Sequence, residues 1–380
     1  GKNTTGTLRK VLVIFQFTIS TLLVFSTLTI YNQWVFMRSK DLGINYEDVV
    51  SLRVYQSATE EGSFVGLKAD LLTHPGVKGV AVASGANGVG FSQGPVTALD
   101  SVDVELMVRF GFVDENYFPL MEVPFAFGRN FNREYRTDET RAVILNQAAV
   151  NALNWSDPIG KQFRAEYVAE EPMTVVGVVQ DYNYFSLDNA IEPAFYIWLP
   201  ERFNTVVVKL NPNNREEALA HLETIWKSTF QDLPFEPEFA RESIMSQYDG
   251  NSNVMKVVTY FAILCIIISA LGLYGLAAFV AEQKRREIGI RKVLGDTVSG
   301  VIVFLQKDFM KTVGIAILIA LPLAWYIMDR YLDNFAYRIG QSWWHFALTF
   351  AGVVGVAFLT IFYHAYKAAV ANPVDSIKTE

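Results

Sequence analysis

Four runs of the chain contain no Asp, Glu, Lys or Arg, and an α-helix needs about 20 such residues to cross a bilayer. The runs are residues 11–37, 257–281, 312–328 and 339–366. A charge at mid-bilayer costs about 2.5–3.5 kcal/mol on insertion scales, so these runs predict membrane-spanning helices rather than buried soluble ones. The third run is the shortest and contains Pro322, which membrane helices tolerate.

Between the first two spans, the pattern changes to short apolar stretches separated by turn residues. Two sets of stretches, one at each end of this region, have the order strand, helix, strand. Halves of this kind commonly pair into one α+β layer, and we expect the same here. The stretches are Val49–Val54, Phe64–Leu72 and Gly79–Ala83 in the first set, and Thr205–Leu210, Glu216–Lys227 and Pro237–Ala240 in the second.

The middle of this region, roughly 90–200, contains further strand-like runs separated by Gly, Pro and Asp. They are Val102–Val108, Arg141–Leu145 and Met173–Val179. We therefore predict a second lobe between the two strand–helix–strand sets.

Charge is divided unevenly along the chain. Residues 38–255 hold 17 basic and 31 acidic side chains, whereas the rest holds 15 basic and 8 acidic ones. The two parts therefore face different compartments, and the acidic part is not suited to bind nucleic acid, which requires clustered Lys and Arg. The single cysteine, Cys265, lies in an apolar run, so the acidic region has no disulfide.

The stretch from Glu282 to Asp296 differs from the apolar runs on either side because it is strongly basic. The positive-inside rule places such a segment on the cytoplasmic side of a membrane. Its aliphatic residues recur at helical spacing and predict an apolar stripe that contacts a partner outside the bilayer, which we interpret as a protein. The cations are Lys284, Arg285, Arg286, Arg291 and Lys292, and the aliphatic residues are Ile288, Ile290, Val293 and Leu294.

The remaining flanks agree with this orientation, because both chain ends next to the first and fourth spans carry Lys or Arg. Alternation across four spans then places residues 38–255 on the outer side. Two histidines, His345 and His364, lie in or near the fourth span. An ionisable group in a membrane is a functional candidate, but terminal histidines are more typical of an aromatic belt at the interface.

Three short motifs resemble sites of chemistry, but none is complete. Gly90–Gly94 fits the string of a serine-hydrolase elbow around Ser92, but loop and strand residues follow where a helix is required. Ile159–Lys161 lacks the glycine and hydroxyl residues of a phosphate-binding loop. His74 and His221 are isolated in sequence and do not predict a metal site.

Several stretches follow one another in a specific order along nearly the whole chain. They are Phe112–Phe118, Phe127–Phe131, Ala142–Gln147, Asp157–Lys161, Thr174–Asp181 and residues 186–193 in the acidic region, Arg286–Gly295 in the basic elbow, and Ala371–Val374 near the end. Taken in this order, they resemble the MacB/FtsX-type permeases of ABC transporters.

The resemblance implies a permease without enzymatic activity or cofactor of its own, because a separate ATP-binding subunit binds and hydrolyses ATP. It implies that the elbow is a coupling segment that docks on that ATPase. It also implies that stiff helical stalks, here residues 31–40 and 244–255, move the outer domain. The implied coupling residues are Arg285, Arg286, Glu287, Ile288, Gly289, Ile290, Arg291, Lys292, Leu294 and Gly295.

The resemblance further implies other partners. They are a second permease half, as a duplicate chain or a fused repeat, a periplasmic adaptor, an outer-membrane channel and membrane lipid. Many related permeases look like two tandem four-span repeats, whereas this chain contains no repeat of its four-span unit, so we expect it to be either the second half of a longer permease or a trimmed form.

Together these features predict an α+β protein of the bacterial inner membrane, with four transmembrane helices and a large two-lobed periplasmic domain inserted between the first two. The expected output is export of a substrate, favoured by the size of that domain. The alternatives are FtsX-like signalling to a cell-wall hydrolase and a membrane-anchored sensor. The predicted segments are 1–37 (N-terminus and first span), 38–255 (periplasmic domain), 256–281 (second span), 282–300 (coupling segment), 301–366 (third and fourth spans) and 367–380 (cytoplasmic C-terminus).

Overall fold

The computed structural model describes residues 2–54, 63–85, 91–99, 104–165, 168–169, 171–184, 187, 189–246 and 249–370. The chain forms two compact units, residues 1–38 with 250–380 and residues 39–249. We call the first the membrane unit and the second the inserted unit. The predicted closing segment Ala371–Val374 lies outside the described residues.

The elements are numbered in chain order. The helices are α1 (Lys2–Ser39), α2 (Ser63–Leu71), α3 (Tyr117–Leu120), α4 (Asp138–Arg141), α5 (Gln147–Ala152), α6 (Arg215–Thr229), α7 (Ala240–Ser246), α8 (Asp249–Gln283), α9 (Arg285–Val293), α10 (Val298–Leu332) and α11 (Trp343–Val370). The strands are β1 (Val49–Arg53), β2 (Val77–Ala83), β3 (Ser92–Leu99), β4 (Val104–Phe112), β5 (Phe125–Gly128), β6 (Ala142–Asn146), β7 (Gln162–Arg164), β8 (Met173–Val179), β9 (Ala194–Ile197), β10 (Thr205–Leu210) and β11 (Glu238–Phe239).

The first sheet of the inserted unit has the order β11-β1-β10-β2, with antiparallel pairing throughout. Each half contributes a strand, a helix and a second strand, and the halves interlock, as in a ferredoxin-like layer. Val206, Val207 and Val208 of the central strand β10 are all buried, which explains the continuous β-branched run in the sequence. The predicted pairing of the two halves into one layer is confirmed.

The second lobe is built from the other seven strands. They pair in the order β5-β8-β6-β9-β4-β3-β7, and β7 also pairs with β8, so six strands form a closed circuit. Phe110, Phe163 and Phe195 come from three of these strands and are fully buried. The ring of Phe195 lies 4.5 Å from that of Phe163 and 6.0 Å from that of Phe110, between ring centroids. The predicted second lobe is therefore present, and its closed pairing leaves few free strand edges.

Among its described residues, the membrane unit has four helices long and apolar enough to cross a membrane: Lys10–Ser39, Asn253–Gln283, Val298–Leu332 and Trp343–Lys367. The third, α10, continues through Pro322. One apolar cluster joins all four helices, with Phe17 of α1, Leu273 of α8, Ala316 of α10 and Ala357 of α11 among its members. Small residues at such contacts allow the close helix approach that membrane bundles need.

Polar contacts among the described residues also join the helices of this unit. The hydroxyls of Ser20 and Ser269 lie 2.9 Å apart and join α1 to α8. His345 is only 2% exposed. Its Nε2 lies 2.9 Å from Asn32 Nδ2, and its Nδ1 lies 3.1 Å from the carbonyl oxygen of Ser342. The His345 ring is thus buried against α1 rather than facing lipid, and its place in an aromatic belt at the membrane interface stays a prediction.

Candidate coupling site

The basic elbow forms the short helix α9, bounded by a turn at each end. Lys284 separates α9 from α8. At the other end, Gly295 has φ +94°, a left-handed conformation that suits glycine. The Gly295 amide donates to Lys292 O at 3.1 Å and the Asp296 amide donates to Arg291 O at 2.9 Å, which is the Schellman arrangement that ends a helix. Glycine is thus required here by backbone geometry.

Only Asp296 and Thr297 lie between Gly295 and the first residue of α10, Val298. The hydroxyl of Thr297 accepts a hydrogen bond from the Gly300 amide at 3.1 Å, the usual way to cap a helix start. The link between α9 and α10 is therefore short and fixed at both ends.

One face of α9 is buried against the chain's own helices. Ile288 is 4% exposed and packs with Val301 and Leu305 of α10 and Ala365 of α11. Gly289 beside it is also buried. These two predicted coupling residues therefore hold α9 in place rather than presenting a surface to a partner.

The opposite side of α9 is exposed and mixes charge with apolar side chains. Ile290 is 47% exposed, Val293 68% and Leu294 81%. Arg286 and Glu287 are also exposed, while Arg285, Arg291 and Lys292 are partly buried. We call the set Arg286, Ile290, Val293 and Leu294 the docking face.

Phe304 of α10 also belongs to the site, although no motif in the sequence indicates it. Lys284 Nζ lies 4.4 Å from the centroid of the Phe304 ring, and Arg291 Cζ lies 4.1 Å from it. Lys284 also forms an ion pair with Asp308 at 3.2 Å. The apolar positions 301, 305 and 309 of α10 gave a helical period, but nothing in that period distinguishes Phe304.

The other motifs do not form sites of chemistry in the described residues. Gly90 lies outside them, and Ser92 is the exposed first residue of β3, so a strand follows where a hydrolase elbow needs a helix. The Gly160 amide donates a hydrogen bond to the carbonyl oxygen of Val175 in β8. The strand β7 follows Gly160, so the motif Ile159–Lys161 precedes a strand and not a helix. The rings of His74 and His221 stack with centroids 5.0 Å apart. The two histidines are therefore distant in sequence but adjacent in space. The described residues nevertheless contain no group of three or more potential metal ligands.

A buried charge pair lies in the stretch Phe112–Phe118. Lys68 Nζ is 2.6 Å from Asp114 Oδ2, and Asp114 is 1% exposed. Burial raises the pKa of Asp114 from 3.8 to about 6, against the opposing effect of Lys68. Glu115 extends the network, because its Oε1 lies 3.7 Å from Lys68 and 2.8 Å from Arg133. This pair ties α2 to the segment between β4 and α3.

Two protein families match the chain. Residues 12–225 match the MacB-like periplasmic core domain, and residues 259–373 match the FtsX-like permease C-terminal family. The first match alone covers more than half of the chain.

Similar proteins include the macrolide export ATP-binding/permease protein MacB 1 of Yersinia pestis bv. Antiqua (strain Antiqua), which is 21% identical over an alignment of 310 residues that covers 74% of this chain and 46% of that protein. MacB of Bordetella avium (strain 197N) is 22% identical over an alignment of 289 residues that covers 70% of this chain and 42% of that protein. The chain thus spans about half the length of the curated relatives it matches.

Among solved structures, the periplasmic region of MacB from Actinobacillus actinomycetemcomitans aligns with 56% of this chain and 97% of its own length, at 16% identity and a TM-score of 0.40. The extracellular domain of the transporter YknZ from Gram-positive bacteria aligns with 48% of this chain and 94% of its own, at 14% identity and a TM-score of 0.35.

Proposed function

The chain belongs to the MacB/FtsX-type family of ABC transporter permeases, a multi-pass membrane protein with a periplasmic-type domain, and we propose that it couples ATP hydrolysis by a separate subunit to movement of that domain. The movement exports a substrate by mechanotransmission, without a channel through the spans. ATP binds to the partner ATPase, and this chain has no catalytic role. The membrane is the bacterial inner membrane.

The observation that carries this proposal is the two-sided elbow helix. Its docking face exposes three aliphatic side chains next to Arg286, while Ile288 on the other side is buried. An exposed apolar patch at a protein surface is typical of a site for another protein. Because α9 is also packed on α10 and α11, a force applied to the docking face is passed to two spans.

The helices have the length that mechanotransmission requires. The helix α10 has 35 residues and α8 has 35. At 1.5 Å per residue each is about 52 Å long, against about 30 Å for the hydrocarbon core of a bilayer. The surplus lets such helices act as levers outside the membrane.

Further partners belong to the same proposal. We expect a second permease half, as a duplicate chain or a fused repeat, together with a periplasmic adaptor, an outer-membrane channel and surrounding lipid. The size of the inserted unit favours export over FtsX-like signalling, because it holds two complete lobes. A membrane-anchored sensor is the remaining alternative, and it would need no docking face.

The test is co-purification of the full chain with its ATPase subunit. The variant Arg286→Glu with Leu294→Asp reverses one charge and adds another on the docking face. We expect association to weaken about 30-fold or more, since the loss of even one residue central to an interface costs about 2 kcal/mol. Arg330→Glu, an exposed change near the other end of α10, is the matched control and should bind normally. Unchanged association of the first variant would contradict the docking role, and a chain that binds no ATPase would favour the sensor.

A further inference from the structure

The ring of Phe304 lies between two cations of the elbow. Lys284 stands just before α9 and Arg291 in its last turn, at 4.4 and 4.1 Å from the ring centroid. A cation over an aromatic face is attracted by the ring quadrupole, by about 0.5–1 kcal/mol at exposed sites. One side chain of α10 therefore contacts both ends of α9.

The two cations are also held by neighbouring carboxylates. Lys284 pairs with Asp308 at 3.2 Å. Arg291 lies 3.7 Å from Glu287 and 3.8 Å from Asp296. These contacts limit the freedom of both cations to leave the ring.

Positions 284, 288 and 291 share one side of the elbow, at the spacing of neighbouring residues on a helix face. Ile288, midway between the cations, is buried against Val301 and Leu305. Apolar packing alone is non-directional and permits α9 to roll on α10. Two contacts to one ring, one at each end of α9, oppose such rolling.

We infer that Phe304 is a positioning residue that fixes the rotation of α9 about its own axis and so directs the docking face away from the bundle. The inference rests on the proposed function for its consequence, since the docking face is the part that meets the ATPase. It goes beyond that proposal because it places in the coupling device a residue outside the elbow, on the third span.

The first experiment uses the full chain without the ATPase. Spin labels on Ile290→Cys and Val303→Cys, in a Cys265→Ala background, report the distance between α9 and α10; both sites are exposed. We expect one narrow distance for Phe304 and for Phe304→Tyr, which retains the ring. Phe304→Leu, which keeps apolar packing but has no ring, should lose the single narrow distance. A distribution for Phe304→Leu as narrow as for the parent would overturn the inference.

The second experiment adds the ATPase subunit. Phe304→Leu should reduce permease-stimulated ATP hydrolysis about 5-fold, the fold-change that corresponds to about 1 kcal/mol. Phe304→Tyr should retain the parent's level of stimulated ATP hydrolysis. That result would not be expected if any change at position 304 loosened the fold in general. Full stimulation by Phe304→Leu would overturn the inference.

A separate pair of variants guards against a folding defect in Phe304→Leu. Lys284→Gln with Arg291→Gln leaves Phe304 in place and should broaden the spin-label distance in the same way, whereas Lys284→Arg should not. A narrow distance in the double variant would contradict the role of the ring. If the parent chain does not bind the ATPase, the proposed function fails, while the spin-label result still decides the position of α9.

Discussion

The two units of the molecule bury polar groups in different ways. Among the described residues of the membrane unit, the buried polar side chains include no carboxylate, lysine or arginine. The inserted unit, in contrast, buries Lys68, Asp114 and Asp138. A charge in lipid has neither water nor enough partners to offset its desolvation, whereas a water-soluble lobe can bury charges as pairs. The membrane unit accordingly relies on neutral hydrogen bonds between helices.

The largest difference between the units should appear when one half of a buried charge pair is removed. Asp114→Ala leaves Lys68 buried without its nearest partner, which is 2.6 Å away in the parent. We expect a loss of about 3–5 kcal/mol in the stability of the inserted unit, because Ala leaves both Lys68 Nζ and the Asn116 amide without the hydrogen bonds that the carboxyl accepts, and each donor left unpaired costs about 1–3 kcal/mol, a charged one more. Hydrogen exchange of peptides from α2 and β4 in the full chain measures this loss.

The control removes both charges. Lys68→Met with Asp114→Leu should have nearly the parent's stability, because an apolar pair avoids the desolvation that both charges incur. If Asp114→Ala alone left exchange unchanged, the pair would contribute nothing to holding α2 against the segment after β4.

A second prediction concerns pH and the same carboxylate. Burial raises the pKa of Asp114 from 3.8 to about 6, so between these values the folded chain binds the proton more tightly than the unfolded chain. The stability that this proton contributes is complete below about pH 3.8 and is lost as the pH rises through about 6. Relative to Asp114→Asn, the inserted unit should lose about 2 kcal/mol between pH 4 and pH 7. A constant difference across that range would contradict the raised pKa.

The membrane unit offers a neutral counterpart in Gln33 of α1, which is 2% exposed. Its Nε2 donates to Tyr337 O at 2.8 Å, and its Oε1 accepts from the Ile339 amide at 2.9 Å. Gln33→Leu leaves both backbone groups without this partner, at a cost of about 1–3 kcal/mol. Exchange of the Ile339 amide should become roughly 10-fold to 100-fold faster.

The matched control for Gln33 is Asn334→Leu. Asn334 is exposed and bonds the carbonyl of Tyr331 within its own turn. Asn334→Leu should therefore leave the hydrogen-exchange rate of the Ile339 amide nearly unchanged. Equal effects of the two substitutions would mean that Gln33 does not hold the segment between α10 and α11.

Hydrophobic period and turn residues were sufficient to predict the four spans, the two interlocked strand–helix–strand halves and a second lobe. These features depend on local patterns, such as the buried valines of β10. The closure of the second lobe depends on the pairing of β7 with β8, which no local pattern encodes. The burial of His345 was missed for a similar reason, because its partner Asn32 lies on a helix distant in sequence.

The candidate site was predicted in part. Sequence alone located the basic elbow, and its alternation of charged and aliphatic residues indicated an amphipathic helix. It did not indicate which aliphatic residues face inward. Ile288 and Ile290 are chemically identical and two positions apart, yet one is 4% and the other 47% exposed. That difference follows from the Gly295 turn and the packing of α9 on α10.

The smallest predicted effect concerns the hydroxyls of Ser20 and Ser269, each 2% exposed and 2.9 Å apart. Hydrogen bonds between membrane helices contribute about 0.6 kcal/mol on average, because the separated helices find other partners. A double-mutant cycle of Ser20→Ala and Ser269→Ala in detergent micelles should therefore give a coupling of about 0.6 kcal/mol.

Thr27 and Thr259 provide the matched control for that cycle. Their hydroxyls bond the carbonyls of Leu23 and Met255, each within its own helix. A cycle of Thr27→Val and Thr259→Val should give no coupling, since neither hydroxyl joins two helices. Coupling in the serine cycle as large as that of the Lys68–Asp114 pair would show that the two units do not differ in how strongly their buried polar groups are held. Absence of coupling would instead mean that apolar packing, and not the Ser20–Ser269 hydrogen bond, joins α1 to α8 at this point of the two helices.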